Sequence, residues 1–313
     1  MTLSVVFMGS PAFAADSLSA LLDARISVPL IVTQPDRAVG RHTELRPTDV
    51  AALGAKSGIA VEKPERVRGN AALLERLRAA APDAIAVVAF GKLLPREILD
   101  LPRLGCVNVH ASLLPRYRGA SPIQAAILAG DRETGVVTMR VEEELDAGPL
   151  YLKRRVVIGP HETAGELSER LAKLSGELLV ETLRQLESGN AVARPQEGEP
   201  SFCRTIRRED GLVDWNLNAA AIARRLRAYT PWPGLYTFLG KERIKIGEVG
   251  EALAGGSGEP GELRLASGRL IVAAGESSAL NLIRIQRSGR TPITGQEFAR
   301  SVSFPARFGN SPG

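Results

Sequence analysis

The sequence predicts an α/β protein in which a doubly wound, mostly parallel sheet is followed by a second, smaller β-barrel. Three observations support this fold class. Short β-branched runs alternate with helical patterns in the first half, short strands with glycine-rich turns follow residue 200, and positive charge is concentrated in the last third. A chain of 313 residues is long enough for two domains with a hydrophobic core each.

The first half has the alternation that is typical of a wound sheet. Predicted strands lie at residues 3–8, 28–33, 59–62, 84–89 and 106–109, and predicted helices at 14–22 and 71–80. Strands and helices in this order favour a parallel sheet covered by helices on both faces. Ligands of such sheets bind beyond the carboxyl ends of the strands, so we expect a site there.

The pattern then changes twice along the chain. Residues 135–141 and 150–158 are predicted to form two further strands. Leucines then recur at helical spacing, which predicts a long helix packed on the core, with the stripe Leu167, Leu171, Leu174, Leu178 and Leu183. Gly, Pro and charged residues predict a linker at 188–206. We therefore expect a domain at 1–187 and a basic β-barrel domain at 207–313.

Composition excludes several classes of protein. Hydrophobic residues make up 44% of the chain and charged residues 24%, with no apolar run long enough for a membrane span. The first residues form a short apolar run without a basic lead, which indicates a strand and not an export signal. Two distant cysteines, Cys106 and Cys203, fit a reducing compartment. We expect a cytoplasmic protein without a membrane partner or a metal site.

Charge is distributed unevenly along the sequence. Residues 1–200 contain 24 Lys and Arg against 25 Asp and Glu, whereas the last 113 residues contain 16 against 10. An electropositive second domain is typical of a protein with a polyanionic partner, and a solvated basic surface is the alternative.

Candidate catalytic residues end the predicted strand 106–109. Asn108 and His110 lie two apart, so on an extended chain both side chains leave the same face. An asparagine amide can stabilise an oxygen that becomes negative during acyl transfer, and a neutral imidazole can accept a proton near neutral pH. A polar cap at a strand end is the alternative for His110. Its place at the end of a predicted buried strand of a wound sheet, where a ligand is expected to bind, favours a functional role.

Two other residues near this pair are candidate partners. Cys106 lies four residues from His110, about 13 Å along a strand, which is too far for a thiolate and its base. Asp146 lies at the Leu-Asp-Ala-Gly bend between two strands, where a carboxylate can orient a histidine or a water molecule. The preceding glutamates are more typical of a solvated surface.

The loop at 33–47 is long for a strand-to-helix connection and is basic. Arg37, Arg41 and Arg46 make contact with phosphate plausible, and simple solvent exposure is the alternative. No GxGxxG or GxxxxGK[ST] pattern occurs in the sequence, so it carries no signal for a nucleotide cofactor.

Motifs in both halves carry a resemblance to a known family. FMGSPAFAADSLSALL, TQPDRAVGR, NVHASLLPRYRGASPIQAAILAGD and ELDAG occur in the order found in the methionyl-tRNA formyltransferase family of folate-dependent formyltransferases. DGLVDWN, AYTPWPGLYTF and KIGEV resemble that family's tRNA-binding barrel. The resemblance implies a Rossmann-like formyltransferase domain and an OB-like second domain.

The resemblance also implies site residues, a formyl donor and a partner. The donor is 10-formyltetrahydrofolate, released as tetrahydrofolate, and the acceptor is initiator methionyl-tRNA, with a monomeric enzyme and no metal. Asn108, His110 and Asp146 are the implied catalytic residues. The implied folate-binding residues are Phe90, Gly91, Ser112, Leu113, Leu114 and Pro115, with residues 141–145 shaping the pterin pocket. Arg41 matches the basic loop residue of the family that reaches the acceptor end of the tRNA. Charge and position predict further phosphate contacts at Arg37, Arg46, Arg207, Arg208, Arg224, Arg227, Lys241, Arg243 and Lys245.

Three hypotheses follow from the residues and the resemblance together. The first is transfer of a formyl group to methionyl-tRNA for translation initiation. The second keeps this chemistry but uses a small amine acceptor, such as an amino sugar nucleotide, for which a basic second domain would have no use. The third is a tRNA-binding protein without catalysis, against which the three catalytic residues argue.

Overall fold

The computed structural model describes residues 3–39 and 44–311, and the chain divides into two compact units. The first unit contains the described residues up to Pro122, together with Glu133–Val157 and Ser168–Arg204. The second contains Ile123–Arg132, Ile158–Leu167 and the described residues from Thr205 onward. Each unit has its own sheet, as described below.

The chain up to Arg204 contains eleven strands and six helices among the described residues. Its strands are β1 (Val5–Gly9), β2 (Leu30–Val32), β3 (Arg37–Val39), β4 (Glu44–Arg46), β5 (Ala60–Glu62), β6 (Ala84–Val88), β7 (Cys106–His110), β8 (Arg118–Gly119), β9 (Glu133–Arg140), β10 (Leu150–Val157) and β11 (Phe202–Cys203). Its helices are α1 (Ala12–Asp23), α2 (Asp49–Lys56), α3 (Ala71–Ala80), α4 (Arg96–Leu99), α5 (Pro122–Ala129) and α6 (Ala164–Glu187).

The main sheet of the first unit is seven-stranded, in the order β10-β9-β7-β6-β1-β2-β5. Strands from β5 to β7 are parallel, whereas β9 runs antiparallel to β7 and β10 antiparallel to β9. This confirms the predicted doubly wound, mostly parallel sheet. The chain proceeds from β1 to β2 on one side and from β6 to β7 on the other. The switch point therefore lies between β1 and β6, where doubly wound sheets have their ligand crevice beyond the carboxyl ends of the strands.

Apolar runs explain why these strands occupy the middle of the sheet. Every residue of β1 and of β6 is buried, as expected for parallel strands covered on both faces. Side-chain caps begin two of the covering helices, since Thr48 accepts from the backbone N–H of Ala51 and Asn70 from that of Leu73. The helix predicted at residues 71–80 is observed as α3, with the same bounds.

Helix α6 places its predicted leucine stripe against the core. Four of the five leucines are buried, and Leu174 is half-buried. The stripe explains the long helix because burial of one apolar face supplies most of the stability of a helix in a protein.

Two segments have more structure than their composition indicates. The predicted loop at 33–47 contains the two-stranded hairpin of β3 and β4, and its tip lies outside the described residues. The predicted linker at 188–206 is paired with the first unit through Arg194, which exchanges two backbone hydrogen bonds with Leu150, and through β11, which pairs with β8. Backbone pairing, not apolar burial, orders this polar segment.

The remaining chain forms the barrel-like sheet of the second unit. Its elements are a 3₁₀ helix (Arg208–Gly211), α7 (Ala219–Ala228), β12 (Leu235–Leu239), β13 (Glu242–Ala254), β14 (Glu262–Ala266), β15 (Arg269–Ala274), β16 (Ser278–Arg287), β17 (Ile293–Thr294), α8 (Gly295–Arg300) and β18 (Ala306–Arg307). The antiparallel order is β12-β13-β16-β15-β14-β18, with β17 beside β16. Trp215 stacks on Phe308 in the core, with ring centroids 5.7 Å apart. The predicted small barrel is confirmed.

A buried threonine pair predicts a measurable stability effect in the first unit. The Thr138 hydroxyl lies 2.7 Å from that of Thr182 and accepts the Leu152 backbone N–H at 3.2 Å, where β10 shifts its register against β9. Thr138→Val removes the partner of this partly buried N–H, so we expect a loss of about 1–3 kcal/mol in the free energy of unfolding, measured by chemical denaturation. The control is Val157→Thr at an exposed position of β10, where we expect a change within about 0.5 kcal/mol. Equal stability of the Thr138→Val variant and the parent would contradict the argument.

Candidate active site

Strand β7 holds Asn108 and His110 in the interior of the sheet. Asn108 lies opposite Val87 of β6 on one side and Met139 of β9 on the other. Two residues further along the same face, His110 is 6% exposed, whereas Asn108 is half-buried. The pair therefore lies at the carboxyl end of a central strand, beside the switch-point crevice.

Two partners fix the imidazole of His110. Its Nε2 lies 2.9 Å from the backbone carbonyl oxygen of Tyr117, and its Nδ1 lies 3.6 Å from Oδ2 of Asp146. A carbonyl oxygen can only accept, so Nε2 carries the proton of this hydrogen bond. In the neutral ring the lone pair is therefore on Nδ1, the nitrogen that faces Asp146, and Nδ1 is the atom that can accept a further proton.

Burial keeps this ring neutral. Removal from water lowers the pKa of His110 below its ordinary value of 6.5, and this effect outweighs the Asp146 carboxylate and the hydrogen bond to Tyr117, which both raise the pKa. The ring is thus available as a proton acceptor near neutral pH. The nearby carboxylate stabilises the ring whenever it becomes charged.

Asp146 reaches His110 from the bend between β9 and β10. Its Oδ2 accepts the backbone N–H of Gly119 at 2.8 Å, and its own φ is +50°, in the left-handed region that side chains other than glycine rarely adopt. Gly119 has φ +118°, and a Cβ there would collide with the carbonyl oxygen of Cys203. Only glycine fits at the position that donates to the carboxylate.

The side-chain amide of Asn108 forms no hydrogen bond with the described part of the chain. Because the residue is half-buried, the amide can face a bound molecule instead of bulk water alone. An amide N–H donor at such a position can stabilise an oxygen that gains negative charge in a transition state.

Cys106 takes no part in this arrangement. Its sulfur lies 3.8 Å from the carbonyl oxygen of Ile98 and 4.0 Å from that of Leu99. Burial, with a smaller contribution from Asp100, raises the pKa of this thiol to about 12. A thiol with this pKa is not a nucleophile at neutral pH.

The loop after β7 contains four of the predicted folate-binding residues. Leu114 packs on Val137 and Met139, Pro115 is buried, and a Cβ on Gly135 would meet the side chain of Leu113. The buried hydroxyl of Ser112 donates to the backbone carbonyl of Arg116 at 2.6 Å. Ser112 therefore shapes the loop through its own hydrogen bond.

Phe90 and Gly91 follow the end of β6, at the switch-point crevice. The Phe90 side chain is buried in the core, and its carbonyl oxygen accepts Nε2 of Gln34 at 2.8 Å. Gly91 has φ +75° and the preceding Ala89 has φ +45°. Gln34 thus ties the loop after β2 to the loop after β6, a role that its sequence position alone does not indicate.

Two predicted tRNA contacts of the first unit, Arg37 and Arg46, lie on the hairpin of β3 and β4. The Arg37 side chain is exposed and donates to Oε1 of Gln34, and Arg46 is exposed as well. Arg41 lies outside the described residues.

In the second unit, the predicted tRNA contacts lie on α7, at the start of the 3₁₀ helix, on β13 and in the turn before β13. Arg207, Arg208, Lys241 and Lys245 are exposed. On α7, Nε of Arg224 is buried without a hydrogen bond to the described residues, and burial, followed by the charge of Arg224, lowers the pKa of Arg227.

Aromatic residues lie beside two of these cations, Arg243 and Lys245, and sequence reasoning did not identify them as candidate site residues. Tyr236 pairs with Lys245 across β12 and β13, Phe238 pairs with Arg243, and the Arg243 guanidinium lies 3.7 Å from the centre of the Tyr236 ring. Trp232 is 56% exposed. The alternation Tyr-Thr-Phe opposite Arg-Ile-Lys was the available signal, since alternate residues of paired strands share a face.

Two features are absent from residues 3–39 and 44–311. No helix in these ranges is both long and apolar enough to span a membrane. No group of three or more His, Cys, Asp or Glu side chains in the same ranges is arranged to hold a metal ion.

Comparison with known proteins assigns both halves of the chain to one family. The formyl transferase family model matches residues 2–183, and the model of the formyl transferase C-terminal domain matches residues 205–303. A structure of an N-formyltransferase from Helicobacter canadensis, in complex with folinic acid and dTDP-3-aminofucose, has the same fold, with a TM-score of 0.64 at 15% identity over 92% of this chain and all of that one.

Sequence relatives extend the assignment over nearly the whole chain. The methionyl-tRNA formyltransferase of Aromatoleum aromaticum is 44% identical, covering 98% of this chain and 96% of that protein. The methionyl-tRNA formyltransferase of Geobacter sulfurreducens is 42% identical, covering 95% and 93%. With both domain models matched and this identity maintained along its length, the chain belongs to the formyl transferase family and, within it, to the methionyl-tRNA formyltransferases.

Proposed function

We propose that this enzyme transfers the formyl group of 10-formyltetrahydrofolate to the free amino group of methionyl-tRNA, which gives N-formylmethionyl-tRNA for translation initiation. The observation that carries the proposal is the buried neutral imidazole of His110, whose Nδ1 faces the Asp146 carboxylate. The amide of Asn108, which has no hydrogen-bond partner among the described residues, lies two residues away on the same strand. An acceptor for the amine proton and a donor for the carbonyl oxygen are what acyl transfer to an amine needs.

The residues around the crevice fit a folate. The left-handed backbone at Ala89 and Gly91 exposes peptide groups beside the strand end, and Leu113 and Leu114 supply apolar surface next to β7. A pocket of this kind, largely apolar with a few convergent polar groups, is typical for a flat cofactor. When bound, 10-formyltetrahydrofolate supplies the activated formyl group, and tetrahydrofolate is released.

Three side chains divide the chemistry of transfer. As the methionyl amine forms its bond to the formyl carbon, the Asn108 amide donates to the formyl oxygen, which gains negative charge. Nδ1 of His110 accepts the proton that the amine loses, and Asp146 stabilises the resulting imidazolium. His110 then returns this proton to the folate nitrogen as its bond to the formyl carbon breaks. The ring ends neutral, as it began.

The basic face of the second unit supports an RNA acceptor. Tyr236, Phe238, Arg243 and Lys245 share one face of paired strands, where guanidinium and ammonium groups can neutralise phosphates and aromatic rings can stack on bases. The exposed residues Arg207, Arg208 and Lys241 add charge. Further proposed contacts are Arg37, Arg41, Arg46 and Arg224. A small amine acceptor would have no use for this surface.

Initiator methionyl-tRNA is the proposed partner, and the reaction belongs in the cytoplasm, where translation takes place. The resemblance in sequence further favours a monomer. Analytical ultracentrifugation of the protein, with and without tRNA, tests the oligomeric state.

The assay of the proposed function combines the protein with methionyl-tRNA and 10-formyltetrahydrofolate. We expect formylmethionyl-tRNA as product, with kcat reduced about 100- to 1,000-fold in Asn108→Ala, which lacks the oxyanion donor. The reduction in His110→Ala is expected to be about 100- to 10,000-fold, because the proton acceptor is lost. Both variants should bind tRNA as the parent does, and Asn190→Ala at an exposed position is the control. No product from folded parent protein would exclude the function, and full turnover by either variant would exclude its mechanism.

The pH dependence of kcat/KM tests the role of His110. We expect activity to fall as pH decreases through the His110 pKa, which burial places below 6.5, because a protonated ring cannot accept the amine proton. Asp146→Asn removes the charge that raises this pKa while keeping the shape of the side chain. Its acidic limb should therefore move to lower pH, and its plateau should drop. His161→Gln, at an exposed histidine, should leave the limb in place. A shift of the Asp146→Asn limb to higher pH would contradict this mechanism.

A single cation on the basic face tests the proposed RNA contact. Lys245→Ala should raise KM for methionyl-tRNA and leave kcat unchanged, because a phosphate contact binds substrate and transition state equally. The slope of log KM against log salt should decrease by about one unit in magnitude. Lys153→Ala, at an exposed lysine of β10, is the matched control. An unchanged KM and salt slope in Lys245→Ala would remove this residue from the RNA surface.

A further inference from the structure

Residues 194–204, which we call the returning segment, contact both loops that supply partners to His110. The first is the loop after β7, which contains Tyr117, and the second is the bend between β9 and β10, which contains Asp146. Arg194 at its start pairs with Leu150, next to the bend that carries Asp146. Strand β11 at its end pairs in parallel with β8, next to the backbone N–H that binds the Asp146 carboxylate. The segment lies far along the chain from β7, so its contacts with the site are tertiary.

The end of the returning segment fixes the loop that carries the Tyr117 carbonyl. The backbone oxygen of Ser201 accepts the Arg118 N–H at 2.8 Å, its hydroxyl accepts the Tyr117 N–H at 2.9 Å, and its own N–H donates to Pro115 at 3.1 Å. Tyr117 has φ +61°, a conformation that a bulky residue keeps only when its surroundings impose it. The hydrogen bond to Nε2 of His110 therefore depends on this anchoring.

Gln196, in the middle of the returning segment, connects the bend that carries Asp146 to the loop after β7. Its Nε2 donates to the backbone oxygens of Asp146 at 2.8 Å and Gly148 at 2.9 Å. Its Oε1 accepts from the Arg118 guanidinium, from Nη2 at 2.9 Å and Nε at 3.3 Å. Both polar atoms of one side chain are thus engaged, and they connect the Asp146 bend to the loop that contains Gly119.

The backbone of Asp146 depends on the hydrogen bond from Gln196 because its own conformation is unfavourable. Its φ of +50° is disfavoured for an aspartate, and such a conformation persists where hydrogen bonds over-determine it. Gln196 binds the carbonyl of Asp146 itself, whereas Gly119 binds the carboxylate. Without the Gln196 contacts, the bend can relax, and the carboxylate leaves the side of Nδ1.

We propose that Gln196 is a positioning residue for formyl transfer, which holds the strained backbone of Asp146 so that the carboxylate stays beside Nδ1 of His110. This inference rests on the proposed function, since it assigns His110 and Asp146 a catalytic role. Gln196 itself acts through the bend and contacts neither reactant.

Asp146 is the charged group on which the ionisation of His110 depends. Across the ring, the Cys203 thiol lies 3.4 Å from the Tyr117 carbonyl oxygen, and burial raises its pKa, so it stays neutral. The Arg118 guanidinium is paired with Glu144 at 3.2 Å, as well as with Gln196. Movement of Asp146 therefore has a predictable sign: the His110 pKa falls when the carboxylate withdraws.

Two substitutions separate positioning from general support of the fold. Gln196→Leu keeps the bulk of the side chain and removes all four hydrogen bonds. Gln196→Glu keeps the acceptor for Arg118 but replaces the two donations to Asp146 and Gly148 with a carboxylate facing two carbonyls. Gln185→Leu is the matched control, because Gln185 is equally half-buried on α6, away from the site. Thermal denaturation shows which variants are folded.

Steady-state kinetics gives the first readout. We expect both Gln196 variants to lower kcat by about ten- to a hundredfold with little change in KM for methionyl-tRNA, since a misplaced catalytic group costs turnover and not binding. Gln185→Leu should match the parent. If Gln196→Leu does not fold, the comparison of Gln196→Glu with the parent decides. Normal kcat in a folded Gln196 variant overturns the proposal.

The second readout is the ring of His110 itself, observed by ¹⁵N NMR of histidine-labelled protein without substrate. The sequence has three histidines, and the signal missing from His110→Gln identifies His110. We expect its titration midpoint to move to lower pH in both Gln196 variants. A fall in kcat with an unmoved midpoint overturns positioning and leaves a structural role only. Because this titration needs no substrate, it tests the inference even if the parent proves inactive on methionyl-tRNA.

Discussion

The site depends on the buried imidazole of His110, held between a carbonyl oxygen and a carboxylate. The Tyr117 carbonyl can only accept, so it fixes the proton on Nε2 and turns the lone pair of Nδ1 towards Asp146. Reversing the tautomer would break the one short hydrogen bond of the ring. The chemistry of the site therefore follows from backbone geometry on one side and from a single charge on the other.

This arrangement requires a sheet in which the carboxyl ends of the central strands lie close together. The fully buried runs of β1 and β6 make these strands central, and the switch point between them opens the crevice that β7 borders. Antiparallel β9 runs back along β7, with Val137 opposite His110 and Arg140 opposite Val107, so the bend after β9 begins beside the amino end of β7. The bend then returns towards the ring and places Asp146 beside Nδ1. The parallel part of the sheet positions the histidine, and the bend between the two antiparallel strands brings its carboxylate.

Sequence reasoning predicted the sheet and the candidate residues of the site, but it missed hydrogen bonds between residues that are distant along the chain. Alternating strands and helices indicated the wound sheet, spacing of two put Asn108 and His110 on one face, and the bend drew attention to Asp146. Gln196 gave no signal, because a glutamine among Gly, Pro and Glu is typical of a linker. Its partner carbonyls lie 50 and 48 residues away, and no local pattern encodes hydrogen bonds to backbone atoms at such separations. The same holds for Ser201, whose partner Tyr117 is 84 residues distant.

In the proposed mechanism, two opposed effects at His110 favour a carboxylate near the ring but not hydrogen-bonded to it, and Oδ2 of Asp146 lies 3.6 Å from Nδ1. A base for an amine must be neutral before transfer, which burial ensures, and must become a cation during transfer, which burial disfavours. A carboxylate in direct contact with Nδ1 would favour the cation already in the resting enzyme and leave no acceptor for the amine proton. A carboxylate that could drift away would leave the cation unstabilised in a dry site. Catalysis thus needs Asp146 held at an intermediate position, and a strained backbone fixed by several hydrogen bonds can hold it there where a flexible loop cannot.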